Sequence, residues 1–81
     1  MTVLTTDGHY LSGTPAAIIE RIEVLVAVGA SLQGSQDADL ILGECRRIGR
    51  YRSSIGPALA DVAAYNLIKG LAEDGHLLIK P

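Results

Sequence analysis

Covalent and metal supports are what this sequence most clearly lacks. Its 81 residues include one cysteine, Cys45, and two histidines, His9 and His76. A single cysteine excludes a disulfide within the chain, and a four-ligand zinc site needs more cysteine and histidine than is present. We therefore predict no metal and no cofactor. A domain of this size then depends on packing quality or on association with another chain.

Aromatic residues are scarce as well. Tryptophan and phenylalanine are absent, and the aromatic side chains are Tyr10, Tyr51 and Tyr65. Surfaces that stack nucleic-acid bases, and many recognition surfaces, are rich in aromatic residues, so this composition favours packing over stacking. Hydrophobic residues make up 48% of the chain and charged residues only 20%, which excludes a disordered polar chain.

Long apolar runs are also missing. The longest is Val24 to Val28, whereas a helix that spans a bilayer needs roughly 20 apolar residues. Residues 1–7 contain no basic region followed by an apolar stretch, as a signal peptide would. A lone thiol is typical of a reducing compartment. These features predict a cytoplasmic protein without membrane contact.

The residues that are present predict one small α+β domain over residues 1–81, with elements in the order β-β-α-α-α-β. An N-terminal hairpin and a C-terminal strand at residues 76–80 are expected to form a small antiparallel sheet packed by three helices. The helices are expected to cover approximately residues 15–28, 37–49 and 57–74.

The hairpin prediction rests on Asp7-Gly8, a favoured two-residue turn because both positions tolerate positive φ. A turn of this length places Leu4 opposite Leu11 and directs both side chains to the core. Val3 and Tyr10 would then lie on the opposite face of the hairpin.

Capping residues and apolar spacing define the helices. Thr14 caps the first helix and Pro15 opens it, while Ser35 or Asp37 caps the second. The second helix has an apolar stripe at the spacing i, i+4, i+7: Ile41, Cys45 and Ile48. The apolar side of the third is expected to consist of Leu59, Val62, Ala63, Leu67, Ile68 and Leu71.

The second half of the first helix is apolar nearly all round, and a helix of this kind needs burial on more than one side. A monomer of 81 residues has few elements that could cover it, so a second copy of the chain is the simplest partner. We therefore predict a homodimer with an interface formed by Val24, Leu25, Val26 and Val28.

Arginines concentrate between residues 46 and 52. Arg46, Arg47, Arg50 and Arg52 give this segment a charge of +4, whereas the rest of the chain carries −6. Guanidinium groups bind phosphates and carboxylates in a bidentate manner, and a helix N-terminus near residue 57 also favours anions. We therefore regard these four residues as a candidate binding site for an acidic protein surface or a nucleic-acid backbone.

An alternative for the arginine cluster is purely structural. Arg46 and Arg47 would lie in the last turn of the second helix, where cations complement the helix dipole. Arg50 and Arg52 could form ion pairs with the acidic residues of the same chain.

Two resemblances accompany these patterns. The second helix, the long third helix and the strand after it resemble the end of a winged helix-turn-helix domain. This would make residues 58–74 a recognition helix, although the segment holds three acidic residues against Lys69, an unfavourable charge for a DNA groove. Residues 5–15 resemble the openings of small prokaryotic and phage proteins, which implies only the hairpin-to-helix start.

Catalytic chemistry has little support. Cys45 lies on the apolar stripe of the second helix, as a buried small side chain would, and two histidines without a positioned carboxylate do not form a triad. The sequence therefore favours a non-catalytic protein-interaction module, a small regulator, inhibitor or assembly factor that binds itself and another protein. The alternative is a nucleic-acid-binding regulator that uses the arginine cluster. An enzyme would need a pocket joining Cys45 or a histidine to a carboxylate.

Overall fold

The computed structural model describes residues 1–31 and 36–81 and confirms the predicted α+β fold. The elements follow in the order β-β-α-α-α-β, and Ser35, one of the two predicted caps, lies outside the described residues. The strands are β1 (Thr2–Thr5), β2 (Tyr10–Ser12) and β3 (Leu77–Lys80), and the helices are α1 (Pro15–Ala27), α2 (Ala38–Ser54) and α3 (Pro57–Glu73).

The three strands form an antiparallel sheet in the order β2-β1-β3. The predicted hairpin is present, but its register is shifted by one residue. The Thr5 amide donates to the His9 carbonyl at 2.9 Å, and the Gly8 amide donates to the Thr5 carbonyl at 3.0 Å. The loop therefore has three residues, 6–8, and Gly8 adopts the positive φ (94°) that such a loop requires at its last position.

The shifted register exchanges the two faces of β1 relative to β2, because neighbouring side chains on a strand point to opposite sides. Val3 pairs with Leu11, and both are buried. Leu4 pairs with Tyr10 on one side and Leu78 on the other. The prediction that Leu4 faces the core is therefore wrong, and Val3 takes that place.

Helix α1 begins as predicted and has two caps. The Thr14 hydroxyl accepts a hydrogen bond from the Ala17 amide at 3.3 Å. The Asp61 carboxylate, which belongs to α3, accepts one from the Ala16 amide at 3.0 Å. Two of the free amides at the start of α1 are thus satisfied, one of them by a residue that is distant in sequence.

Helix α2 is longer than predicted. It continues through Gly49 and ends at Ser54, so residues 50–54, which lie between the predicted second and third helices, are helical. Tyr51 packs against the core after Gly49, and this contact offsets the cost of about 1 kcal/mol that a glycine imposes inside a helix. Only Ile55 and Gly56 separate α2 from α3, and Gly56 makes the turn at φ 126° and ψ 163°.

Helix α3 packs against both other helices and β3. Its buried side is formed by Ala60, Ala64, Ile68 and Leu71. Leu59 and Val62 were predicted on this side, but they are 58% and 59% exposed. The small side chains of Ala60 and Ala64 allow the neighbouring helices to approach α3 closely, so the alanine side of the helix is the one that is buried.

The helices lie on one side of the sheet, and two of them contact it. Helix α1 contacts β2 and α3 contacts β3, whereas α2, over its described residues, contacts α1 and α3 but no strand. On the other face of the sheet, Tyr10 and Leu78 are mostly exposed. They flank Leu4 in a row across the three strands.

Candidate interaction surfaces

The predicted α1 interface divides into an exposed and a packed half. Val24 and Val28 are 58% and 70% exposed, and their spacing of four residues places them on one side of the helix. Leu25 and Val26 are partly buried and pack against the core. Only Val24 and Val28 are therefore fully available to a partner in the isolated chain.

A second apolar surface lies on α3 and was not predicted. Leu59, Val62 and Tyr65 follow one another at intervals of three residues and are all exposed, so they form a ridge along the helix. We refer to these three residues as the α3 patch. The Lys69 ammonium lies 5.9 Å from the centre of the Tyr65 ring and bounds the patch. The spacing of three residues is the sequence signal for this ridge, but the hydrophobicity of Leu59 and Val62 predicts both in the core.

The arginine cluster separates into paired and unpaired members. Arg47 donates to the Glu44 carboxylate and, at 3.2 Å, to the Tyr51 hydroxyl, and its guanidinium lies 5.5 Å from the centre of the Tyr51 ring. The hydrogen bond to Glu44, which has the larger effect, and the hydrogen bond to Tyr51 both raise the pKa of Arg47. These contacts lie within α2 and occupy Arg47 locally.

Arg52 connects two helices. Its guanidinium lies 2.8 Å from the Glu20 carboxylate of α1, and both side chains are exposed. An exposed pair of this kind contributes only about 0–1 kcal/mol to stability, but it neutralises the charge of Arg52. The predicted pairing with the chain's own acidic residues is therefore confirmed for Arg52.

The guanidinium groups of Arg46 and Arg50 form no ion pair or hydrogen bond within residues 1–31 and 36–81. They are four residues apart on the exposed side of α2 and line an open depression of about 640 Å³ with Ser53 and Glu23. The Ser53 hydroxyl already donates to the Gly49 carbonyl at 3.3 Å. Two of the four predicted arginines thus remain available to an anion.

Cys45 belongs to the core, as predicted from its place on the apolar stripe. It is 1% exposed, and burial, with smaller contributions from the nearby Glu23 and Glu44 carboxylates, raises its pKa from 9.0 to about 12. A cavity of about 350 Å³ between α1 and α2 joins Cys45 to Glu20 and Glu23. The thiol is nevertheless protonated at neutral pH, the opposite of the thiolate that a nucleophile requires.

His9 contacts the segment after α1 through its ring, whereas His76 contacts the hairpin loop through its own backbone. The His9 Nε2 atom lies 3.3 Å from the Ala30 carbonyl oxygen, and the His76 carbonyl accepts from the Thr6 amide at 3.3 Å. Residues 1–31 and 36–81 contain no group of three or more His, Cys, Asp or Glu side chains that could hold a metal ion.

A groove separates β2 from α1. It has a volume of about 510 Å³ and is lined on the strand side by residues 8–11. The helix side consists of Glu20, Arg21, Val24 and Leu25. We refer to this cavity as the β2–α1 groove. Sequence reasoning missed it because the groove depends on how the sheet edge lies over the helix.

Comparisons with protein-family models, with curated proteins and with solved structures found no match to the chain. In the part of the chain that the structure describes, no helix is long and apolar enough to cross a membrane.

Proposed function

We propose that the protein is a non-catalytic interaction module of the cytoplasm, a homodimer that also binds another protein. The observation that carries this proposal is that α1 and α3 keep large apolar side chains more than half exposed, Val24, Val28, Leu59 and Val62 among them. Single exposed apolar residues are ordinary, but rows of them along one helix side are typical of surfaces that a partner covers.

A second copy of the chain is the simplest partner for the α3 patch. Its exposed residues form a short ridge on one helix, and such a ridge can pack against its own copy across a two-fold axis, as in most homodimers. The α1 surface at Val24 and Val28 remains the other candidate for this contact.

We expect wild-type protein at micromolar concentration to have twice the mass of one chain in light scattering after size exclusion. Val62→Glu is expected to raise the dimer dissociation constant about thirtyfold or more, because a desolvated charge at the centre of an interface costs at least about 2 kcal/mol. Val28→Glu tests the α1 surface in the same manner.

Leu40→Glu is the matched control, since Leu40 is 68% exposed on α2 and the substitution introduces the same charge elsewhere. A wild-type chain that stays monomeric at every concentration contradicts the homodimer. If the dimer persists in both Val62→Glu and Val28→Glu, neither helix surface forms the interface.

Nucleic-acid binding is the second candidate, favoured by the unpaired Arg46 and Arg50 beside the open depression. Two phosphate contacts per chain give a slope of about −1.8 in a plot of log K against log salt concentration for duplex DNA. Arg46→Gln with Arg50→Gln is expected to abolish the slope, whereas Arg47→Gln, whose arginine is held by Glu44, should change it little. Absence of binding to duplex DNA and RNA at low salt, measured by fluorescence anisotropy, contradicts this candidate.

A further inference from the structure

The free edge of the sheet at β2 presents backbone groups to the outside. The His9 carbonyl accepts from β1, and the Gly13 amide donates to the Met1 carbonyl at 3.1 Å, so the residues that bond to β1 are 9, 11 and 13. In an antiparallel pair the residues between them direct their N–H and C=O groups away from the partner strand. The backbone groups of Tyr10 and Ser12 therefore point outward along the edge.

The two edges of the sheet differ in how they are protected. Strand β3 contains Lys80 and is followed by Pro81, and a lysine or a proline at an edge opposes the addition of a further strand. Strand β2 has neither a charged residue nor a proline. Because β2 is only three residues long, a strand added there also needs contacts beyond the sheet.

Those contacts are available in the β2–α1 groove, whose volume of about 510 Å³ lies in the range of about 300–1,000 Å³ typical of ligand sites. Arg21 is exposed on the helix side and has no ion pair or hydrogen bond to a side chain within residues 1–31 and 36–81. The neighbouring Glu20 is paired with Arg52 at 2.8 Å. The unbalanced charge of the groove is therefore positive, and Val24 adds an apolar surface.

The spacing of Arg21 and Val24 restricts what can bind. They are three residues apart on one side of α1, about 4.5 Å along the helix axis. In an extended peptide, side chains two positions apart point the same way at a separation of about 6.6 Å. Flexible side chains can bridge the difference between this spacing and the spacing along the helix. A bound peptide can therefore place an acidic residue opposite Arg21 and an apolar residue opposite Val24 if the two residues are two positions apart in its sequence.

We propose that the β2–α1 groove binds an extended segment of a partner protein, which pairs with the backbone of Tyr10 and Ser12 and carries an acidic residue two positions from an apolar one. The segment adds a fourth strand to the sheet, with main-chain bonds on one side and side-chain contacts to α1 on the other. This inference rests on the proposed function as a protein-binding module but does not require the homodimer.

The test uses the full chain and two pools of capped hexapeptides, one with Asp-x-Val or Asp-x-Leu at the centre and one with Lys in place of Asp. Amide shifts in nitrogen–proton NMR spectra report the site, and fluorescence anisotropy reports the affinity. We expect the Asp pool to shift the Tyr10 and Ser12 amides and to bind about tenfold or more tightly than the Lys pool.

Two variants test the two halves of the groove. Ser12→Pro removes the outward amide without removing a backbone bond to β1 and is expected to weaken binding about tenfold. Ser12→Ala loses the same side-chain bond to the Thr2 hydroxyl but keeps the amide, and should bind normally. Arg21→Glu is expected to reverse the preference from the Asp pool to the Lys pool. Because Arg21 is exposed, this variant remains informative if Ser12→Pro does not fold.

The proposal is overturned if the Asp pool leaves the Tyr10 and Ser12 amides unchanged, or if Arg21→Glu does not alter the preference. It is also overturned if both amides are protected from hydrogen exchange without peptide and Ser12→Pro halves the mass, since a second copy then occupies the edge. Peptide binding by a monomeric wild-type chain would contradict the homodimer but leave this inference standing.

Discussion

Ile68→Ala is expected to lower the free energy of unfolding by about 2–5 kcal/mol, the usual cost of removing a large aliphatic side chain from a packed core. Ile68 is 0% exposed and lies on α3, which contacts α1, α2 and β3. Since small domains unfold at a total cost of about 5–15 kcal/mol, this one substitution removes a large share of the stability.

Urea denaturation followed by circular dichroism measures this effect. Val62→Ala is the control, because Val62 lies on the same helix but is 59% exposed, and it should change the free energy by less than about 0.5 kcal/mol. Equal effects of the two substitutions would show that Ile68 does not lie in the core. The measurement should be made below the concentration at which the chain associates, so that dimer formation does not contribute.

Gly56→Ala and Gly49→Ala are expected to change stability in opposite directions. Gly56 has φ 126° and ψ 163°, a region that is accessible almost only to glycine, and alanine there costs about 1–3 kcal/mol. Gly49 lies inside α2 with open space around its Cα, and alanine there should stabilise by about 0.5–1 kcal/mol. A Cβ atom meets nothing within 4 Å at either position, so the difference isolates the backbone conformation.

Thermal unfolding monitored by circular dichroism distinguishes the two variants. A change of 1 kcal/mol corresponds to a shift in Tm of about 4–8 °C for a domain of this size. A rise in Tm for Gly56→Ala would contradict the two-residue connection between α2 and α3. A fall for Gly49→Ala would contradict the continuous helix through that position.

Several elements could be predicted from the sequence because single residues mark where they begin or end. Thr14 and Pro15 define the start of α1, and Gly75, with φ 82°, follows the end of α3, because caps and glycine stops are local signals. The hairpin register was not predictable in this way. Asp7-Gly8 suits both a two-residue and a three-residue loop, and only the burial of Val3 against the helices decides between them.

The surfaces were predictable only in part. Four clustered arginines are evident in the sequence, but the pairing of Arg52 with Glu20 spans 32 residues, and no local pattern indicates it. Apolar residues occur on more than one side of α3. The side that holds the small residues Ala60 and Ala64 is the one that faces the core. Hydrophobicity alone ranks Leu59 and Val62 above alanine and so predicts these two residues wrongly in the core, whereas it predicts the burial of Ile68 and Leu71 correctly.

The bond between Asp61 and the Ala16 amide also bears on the order in which the chain folds. Ala16 and Asp61 are 45 residues apart, so the second cap of α1 forms only after the chain has closed a long loop. Closing such a loop costs entropy before any contact is gained. During synthesis, α1 therefore emerges with one cap and obtains the second when the start of α3 arrives, which makes the second cap a late contact in folding.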